Sequence, residues 1–341
     1  MIQILENVDL QRYNTMAVPS VARFFCRATS VSELREALAW SQTQHTAQYV
    51  LGGGSNTLLD AEVNGLVIRP EISGWEVVGE DKDVVYVCAG AGVVWHTFVM
   101  ECIENGYFGL ENLALIPGHV GAAPIQNIGA YGVELKDVFH TLQAVNCESG
   151  ELIELSKLQC EFGYRDSVFK GRYKNKQVIT SVTFSLSKAP RVSVQYPALI
   201  EELAKSNVLT PTPRQVAEAV IRVRRRKLPA PETIPNAGSF FKNPVVCEDF
   251  ALRLKAEYPQ MPQYDAANKR KKLAAGWLIE QCGWKGRKAF GVKVHDKQAL
   301  VITNPNRVDV GNILELAASI AADVKLKFDV SLEREPKLLS E

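Results

Sequence analysis

Apolar positions along the chain change period repeatedly, and each change marks an element. Over residues 31–42, Leu34, Leu38 and Trp40 fall near helical spacing behind Ser30, a good N-cap, which predicts an α-helix. The short apolar run Tyr49, Val50, Leu51 ends in three glycines. Clusters of β-branched residues at 66–68 and 84–89 predict strands. A helical pattern returns over 93–105 and is stopped by Gly106. Residues 138–147 and 178–186 read as strands again. The first half is therefore mixed α and β, with short strands and many glycines.

A boundary is predicted near Leu209, Thr210, Pro211, Thr212 and Pro213. Thr212 suits an N-cap, Pro213 the first helical position, and Gln215 completes a capping box. Val216, Ala219, Val220 and Val223 then share one helical face. The helix ends in Arg224, Arg225, Arg226 and Lys227, before a proline-rich stretch over 228–235. A further helix is predicted over 273–282, with Leu273, Trp277, Leu278 and Gln281 on one side and Gly283 closing it. Residues 299–303 read as a buried strand, and 310–326 as a helix capped by Asp309. A last strand is expected over 328–332. There is no internal repeat and no low-complexity segment.

Composition narrows the class. The chain has 341 residues, 46% apolar and 23% charged, enough for two or three packed domains. Its formal net charge of +1 gives no bulk attraction for nucleic acid or an anionic membrane. No apolar run approaches bilayer-spanning length, and the N-terminal residues, with Glu6 and Asp9, lack a signal-like core. The seven cysteines are odd in number, scattered and without a CxxC pair. Such usage fits reduced thiols in the cytoplasm and argues against a zinc site or a disulfide frame.

Two glycine-rich stretches carry the candidate chemistry. In Gly52, Gly53, Gly54, Ser55 and Asn56, backbone N–H groups can approach an anion without Cβ obstruction, and two side chains add donors. On residue types alone an ordinary tight turn explains the loop equally well. It is not a dinucleotide fingerprint, because Thr57, Leu58 and Leu59 follow where a helix should open, and it lacks the lysine of a P-loop. Residues 117–132 are dominated by small side chains, interrupted by Gln126 and Asn127. That composition suits backbone laid against a flat, extended ligand, or a flexible lid.

The segments Gly52 to Asn56, GLENLALIPG (109–118), PIQNIGAYG (124–132), FGYRDSVFK (162–170) and NAGSFFKNP (236–244) occur in one order. Together they resemble the UDP-N-acetylenolpyruvoylglucosamine reductase family, and the likeness runs from Asn14 to Glu335. Tyr164 and Tyr196 suggest its type I branch. The resemblance implies an α+β fold: an FAD-binding module of the vanillyl-alcohol and p-cresol oxidase type in two subdomains (1–70 and 71–210), then a C-terminal α+β substrate domain (211–341). It implies non-covalent FAD with NADPH as co-substrate, small-molecule partners, no metal, and a role in peptidoglycan precursor synthesis. Some oxidases of that wider type hold flavin covalently on histidine, and His96 and His119 qualify by residue type alone.

In the implied reaction NADPH reduces the flavin, whose N5 passes hydride to C3 of the enolpyruvyl group while a proton reaches C2. Ser239 matches the family's proton donor. Arg165 matches the arginine that steadies the enolate-like charge, with Asp166 to orient it, and Glu335, rather than Glu333, the catalytic glutamate. Here Arg334 separates the two glutamates, and Pro336 follows. The cofactor falls to Gly52, Gly53, Gly54, Ser55, Asn56, Pro117, Gly118, Ile125, Asn127, Gly129, Ala130 and Arg224, and the sugar nucleotide to Tyr164, Tyr196, Lys227, Asn243 and Gln298. Without the resemblance, Ser239 reads as a turn hydroxyl, Arg165 as a surface ion-pair partner, Glu335 as a solvated terminal charge and the basic run at 224–227 as a solvated helix end. Ala122 and Ala123 stand where many type I relatives carry a serine pair, which implies a modest affinity cost and the same reaction.

Overall fold

The computed structural model describes residues 2–205 and 209–341. Two compact units share them. The first comprises Met1–Val8, Ala22–Gly53 and Val63–Arg226, and the second Asp9–Val21, Gly54–Glu62 and Lys227–Glu341.

The first unit holds two sheets. In one, the strand order is Leu5–Asp9, Val21–Ala28, Glu62–Pro70, Gln48–Val50. Helix α1 (Val31–Thr43) packs Leu34 and Leu38 with Cys26, Leu66 and Ile68. The Ser30 hydroxyl accepts from the Glu33 N–H, so the expected cap forms. The second sheet has five antiparallel strands, ordered Leu152–Ser156, Phe139–Asn146, Gln177–Ser187, Val84–Gly90, Trp75–Glu80. Along Gln177–Ser187, Val182, Phe184 and Leu186 are buried at every second position, which is what a strand with one covered face requires. Helix α2 (Trp95–Glu104) lays Trp95, Phe98 and Cys102 on that face, with Phe98 and Phe184 rings 5.1 Å apart. Helix α3 (Pro197–Ala204) buries Leu199 and Leu203, and helix α4 (Pro213–Lys227) buries Val216, Ala219, Val220 and Val223. At the start of α4, Thr212 N–H donates to Gln215 Oε1 at 2.9 Å and Gln215 N–H to Thr212 Oγ1 at 3.3 Å, a complete capping box.

The second unit has a sheet ordered Asn236–Ser239, Val301–Thr303, Val292–Val294, Lys288–Ala289, and a three-stranded antiparallel sheet ordered Val245–Cys247, Arg270–Leu273, Gln263–Ala266. Helices α5 (Glu248–Glu257), α6 (Ala275–Gln281) and α7 (Val310–Phe328) supply Leu254, Leu278, Ile279, Ile313, Leu316 and Ile320 to one core. Asp309 caps α7 through the Asn312 N–H. Near the C-terminus, Lys337–Leu338 pairs in parallel with Thr57–Leu58. Among the described residues no helix is long and apolar enough to cross a membrane.

Two predicted elements are corrected. Leu273 ends a strand instead of opening a helix, because its N–H bonds to Pro244 O at 2.9 Å. Helix α6 starts two residues later, where Asn243 Oδ1 accepts the Ala275 N–H at 2.9 Å. The strand expected over 328–332 is absent. Its alternating Phe328, Val330 and Leu332 do face the core, but Phe328 does so as the last residue of α7, its ring 4.9 Å from Tyr258 and 5.8 Å from Trp277. Asp329, at φ 54°, then ends the helix. Phe328→Ala should therefore cost about 3–5 kcal/mol. Urea denaturation of the two proteins checks this, and a loss near zero would mean that α7 is not anchored by that ring.

Candidate active site

The first glycine loop is a place where backbone meets backbone. A Cβ on Gly53 would lie 2.8 Å from Gly118 Cα, and one on Gly52 3.4 Å from Ala122 Cβ. Arg69 donates to Gly52 O at 3.1 Å while paired with Glu71. On the second unit, Gly54 has φ +62°, a Cβ there would come within 2.0 Å of Tyr13 O, and Thr15 N–H donates to its carbonyl at 3.1 Å. Gly53 and Gly54 are thus demanded by close chain crossings, whereas a Cβ on Gly52 would make only an ordinary contact. Ser55 and Asn56 follow, half-buried.

The second small-residue stretch folds into short 3₁₀ turns at Val120–Ala122 and Pro124–Gln126, then a two-residue strand, Gly129–Ala130, paired with Val133–Glu134. Pro117 is exposed, and Gly118 accepts the Trp95 N–H through its carbonyl. Ala123 is buried in the core of the unit. Asn127 is wholly buried at φ 44° and uses both ends of its amide. It donates to Glu134 Oε2 at 3.1 Å and Gly163 O at 2.9 Å, and accepts from Lys136 N–H at 3.0 Å. Ile125 O takes the Ser167 hydroxyl at 2.7 Å. Arg165, itself at φ 54° inside the Gly163–Asp166 turn, donates from Nη2 to Gly129 O at 2.6 Å. Its guanidinium lies 5.3 Å from the Tyr164 ring centroid, and Lys170 Nζ donates to its carbonyl at 3.0 Å. Asp166 Oδ1 accepts the Ser167 N–H at 3.0 Å, while the Gly129 carbonyl helps orient the Arg165 fork.

A third constellation surrounds Leu115. This residue has φ 59°, and both sides of its backbone are held. His96 Nδ1 accepts its N–H at 3.1 Å, and Arg224 Nε donates to its carbonyl at 3.1 Å. Burial pushes the His96 pKa down, helped by the charges of Arg225 and Arg224, so this ring is neutral when it accepts. Burial likewise lowers the Arg224 pKa, and it raises that of Tyr131, which Arg224 partly offsets. The Tyr131 ring meets Tyr196 edge-on at 5.3 Å. Asn112 Nδ2 ties Tyr131 O to Ser193 O, at 2.9 Å each, and so joins the segment before Tyr196 to the small-residue stretch. Asn112 was not singled out by sequence, although it lies within GLENLALIPG, and His96 was named by residue type alone and not as a backbone partner.

In the second unit, Ser239 ends the strand Asn236–Ser239, beside Gly238 at φ +68°. Gly238 N–H is held by Asn236 Oδ1 at 2.9 Å, and the next residue, Phe240, is fully buried. The C-terminal segment runs antiparallel to 240–242. Glu335 N–H donates to Phe240 O at 2.9 Å, Phe241 bridges Arg334, and Lys242 N–H donates to Glu333 O at 2.9 Å. This register sets Glu335 next to the residue that follows Ser239. Glu333 is exposed and its carboxylate pairs with Lys242 at 2.6 Å. Asn243 holds the first turn of α6, Gln298 Oε1 lies where a Cβ on Gly276 would be 3.0 Å away, and Lys227 is exposed at the end of α4. Among the described residues no group of His, Cys, Asp and Glu is arranged to hold a metal.

Do these residues suit a flavin nucleotide? Next to Gly118, the buried ring nitrogen Nδ1 of His119 has no hydrogen-bond partner, while burial and Arg69 keep the ring neutral. A buried polar atom left unpaired costs about 1–3 kcal/mol. That atom is closed off even with no ligand bound, so the fit rests instead on the glycine backbone: the N–H groups at Gly52, Gly53 and Gly118 carry no Cβ to obstruct a phosphate, which suits such a group.

Comparison with known proteins agrees with this chemistry. Residues 22–156 match the family described as FAD binding domain, and 229–339 the family described as UDP-N-acetylenolpyruvoylglucosamine reductase, C-terminal domain. The reductase of Pseudomonas syringae pv. syringae is 45% identical over 337 residues, 99% of both chains. The chain belongs to the UDP-N-acetylenolpyruvoylglucosamine reductase family. Its relative from Chromobacterium violaceum is 44% identical over 99% of both chains. The crystal structure of the Thermus caldophilus reductase covers 99% of each chain with a TM-score of 0.70 at 24% identity, and so shares the fold. Both the α+β fold and the FAD-binding domain expected of a reductase are therefore present. Because Gly53 has no room for a side chain, Gly53→Ala should lower the flavin-to-protein absorbance ratio of the purified reductase to well under half. An unchanged ratio would show that the crossing with Gly118 does not shape the cofactor site.

Proposed function

We propose that this reductase converts UDP-N-acetylglucosamine enolpyruvate to UDP-N-acetylmuramate, using NADPH, for peptidoglycan precursor synthesis. The observation that carries the reading is full-length identity of 45% to a reductase of that name. FAD, when bound, supplies the hydride chemistry, and the chain's own groups do the rest. Backbone at 52–56 and 117–130, with Arg224, holds the cofactor. Arg165, permanently charged and fixed by Gly129 O, steadies the negative charge that develops on the substrate carboxylate. Ser239 delivers the proton to C2, and buried Phe240 and Phe241 keep bulk water from its strand. The choice of Glu335 for the second charge-stabilising role is supported by its pairing beside Phe240 and by the engagement of Glu333 with Lys242. Tyr164, Tyr196, Lys227, Asn243 and Gln298 bind the sugar nucleotide in this reading. In this reading the near-neutral chain acts on small molecules rather than nucleic acid, and its scattered cysteines, without a CxxC pair, support a cytoplasmic location.

Ser239→Ala should leave flavin bleaching by NADPH intact and slow reoxidation by substrate by about 10²–10⁴-fold, the usual weight of a general acid. Normal reoxidation in stopped flow would remove Ser239 from the role. Glu335→Gln should lower kcat by a similar factor, whereas Glu333→Gln should retain near-normal turnover. The reverse ranking would mean that the register of the C-terminal segment has been misassigned.

A further inference from the structure

Helix α3 begins at Tyr196, whose carbonyl accepts the N–H groups of Leu199 and Ile200. It is a short helix of 8 residues, so its placement has to come from tertiary contacts rather than intrinsic propensity. Leu199 and Leu203 give it an apolar foot in the core of the first unit. On the same helix stands a carboxylate, Glu202, whose side chain is only 7% exposed.

Arg226 Nη1 donates to Glu202 Oε2 at 2.6 Å, and Arg222 Nε donates to Oε1 at 3.0 Å. Lys205 lies 3.5 Å from Oε2. Arg222 and Arg226 are one helical turn apart on α4, so they meet the carboxylate together as two arms of a clamp. Each is nearly half exposed, which means that the carboxylate is roofed by the arginines rather than sunk in the core. The Arg226 hydrogen bond, working against desolvation and helped by Arg222 and Lys205, holds the carboxyl at about 2, so it stays ionised throughout any assay range. Arg224, halfway between the two arms in sequence, points elsewhere and holds Leu115. One helix thus presents alternate arginines to two tasks: 224 to the cofactor-side backbone, 222 and 226 to α3.

We propose that Glu202 is a positioning residue for the sugar nucleotide: clamped by Arg222 and Arg226, it locks α3 to α4 and so sets the Tyr196 ring against Tyr131. The proposal rests on the reading that Tyr196 binds that substrate. It makes the charged face of α4 part of substrate recognition without any of those arginines touching substrate. Loss of the clamp frees the helix start, and the ring must then be ordered anew at each binding event. That cost falls on substrate binding and leaves the chemical step and the NADPH half-reaction alone.

The test is a double-mutant cycle on steady-state and stopped-flow kinetics of the holoenzyme. Glu202→Ala should raise KM for the enolpyruvyl sugar nucleotide about tenfold, with kcat and the rate of flavin reduction by NADPH within about twofold of the parent. In a Tyr196→Ala background the same substitution should add less than about twofold, because its effect is transmitted through that ring. Arg222→Met and Arg226→Met open the clamp from its exposed side and should shift KM in the same direction, which keeps the test available if Glu202→Ala folds poorly. Additive effects of Glu202 and Tyr196, or an unchanged KM in both arginine variants, would overturn the proposal. So would a slowed NADPH half-reaction, the mark of a general structural role. If Tyr196→Ala alone leaves KM unchanged, the assignment of Tyr196 itself fails and the proposal falls with it. A KM raised by Tyr196→Ala but not by opening the clamp overturns the proposal alone.

Discussion

Backbone that carries almost no side chains cannot hold itself in place. The small-residue stretch over 117–132 sends Val120, Ala123 and Ile128 into the core of the first unit, but its glycines and alanines offer too little side chain to fix the rest of its backbone by packing. Its order therefore depends on hydrogen bonds reaching in from neighbouring elements. Arg165 fixes the Gly129 carbonyl, Ser167 the Ile125 carbonyl, Asn112 the Tyr131 carbonyl, and buried Asn127 ties the stretch to Glu134, Lys136 and Gly163. Just before it, Leu115 is gripped by His96 and Arg224 from opposite sides of its peptide. His96 and Arg224 stand on helices α2 and α4, whose buried faces belong to the core of the first unit.

This arrangement gives residues proposed for chemical roles structural ones as well. The Arg165 guanidinium is tied to the Gly129 carbonyl, and that hydrogen bond holds its charge in one direction. The second unit follows the same logic. Ser239 sits on a short strand whose next residue, Phe240, is buried and bonded to both Leu300 and Glu335, so the hydroxyl and the glutamate are carried by one hydrogen-bonded ladder. Preorganisation of this kind places the cost of ordering in folding rather than in each turnover.

Much of this was legible in the sequence where local chemistry alone decides. Ser30 before α1, the Thr212–Gln215 box and the Asp309 cap are short-range devices, and they appear where residue types predicted them. The strand read over 178–186 likewise forms where its residue types predicted it. Illegible features were those settled at long range. Phe328, Val330 and Leu332 carry a strand-like alternation, yet a ring cluster with Tyr258 and Trp277 keeps Phe328 helical. The basic run ending α4 read as a solvated helix end. Its division between Leu115 and Glu202 depends on where α3 lies, which no local pattern encodes. The motifs pointed to Arg165, Ser239 and Glu335 because their spacing matches a family. The contacts that steady them, from Gly129 and Phe240, became visible only in three dimensions.

The central claim is that this scaffold carries out a two-step hydride relay ending on an enolpyruvyl ether. Its most direct test is anaerobic stopped flow at the visible flavin band, with NADPH added first and UDP-N-acetylglucosamine enolpyruvate second. The account predicts rapid bleaching by NADPH and rapid return of the oxidised spectrum on addition of the sugar nucleotide. Bleaching without return, or a purified protein that holds no flavin, would contradict it.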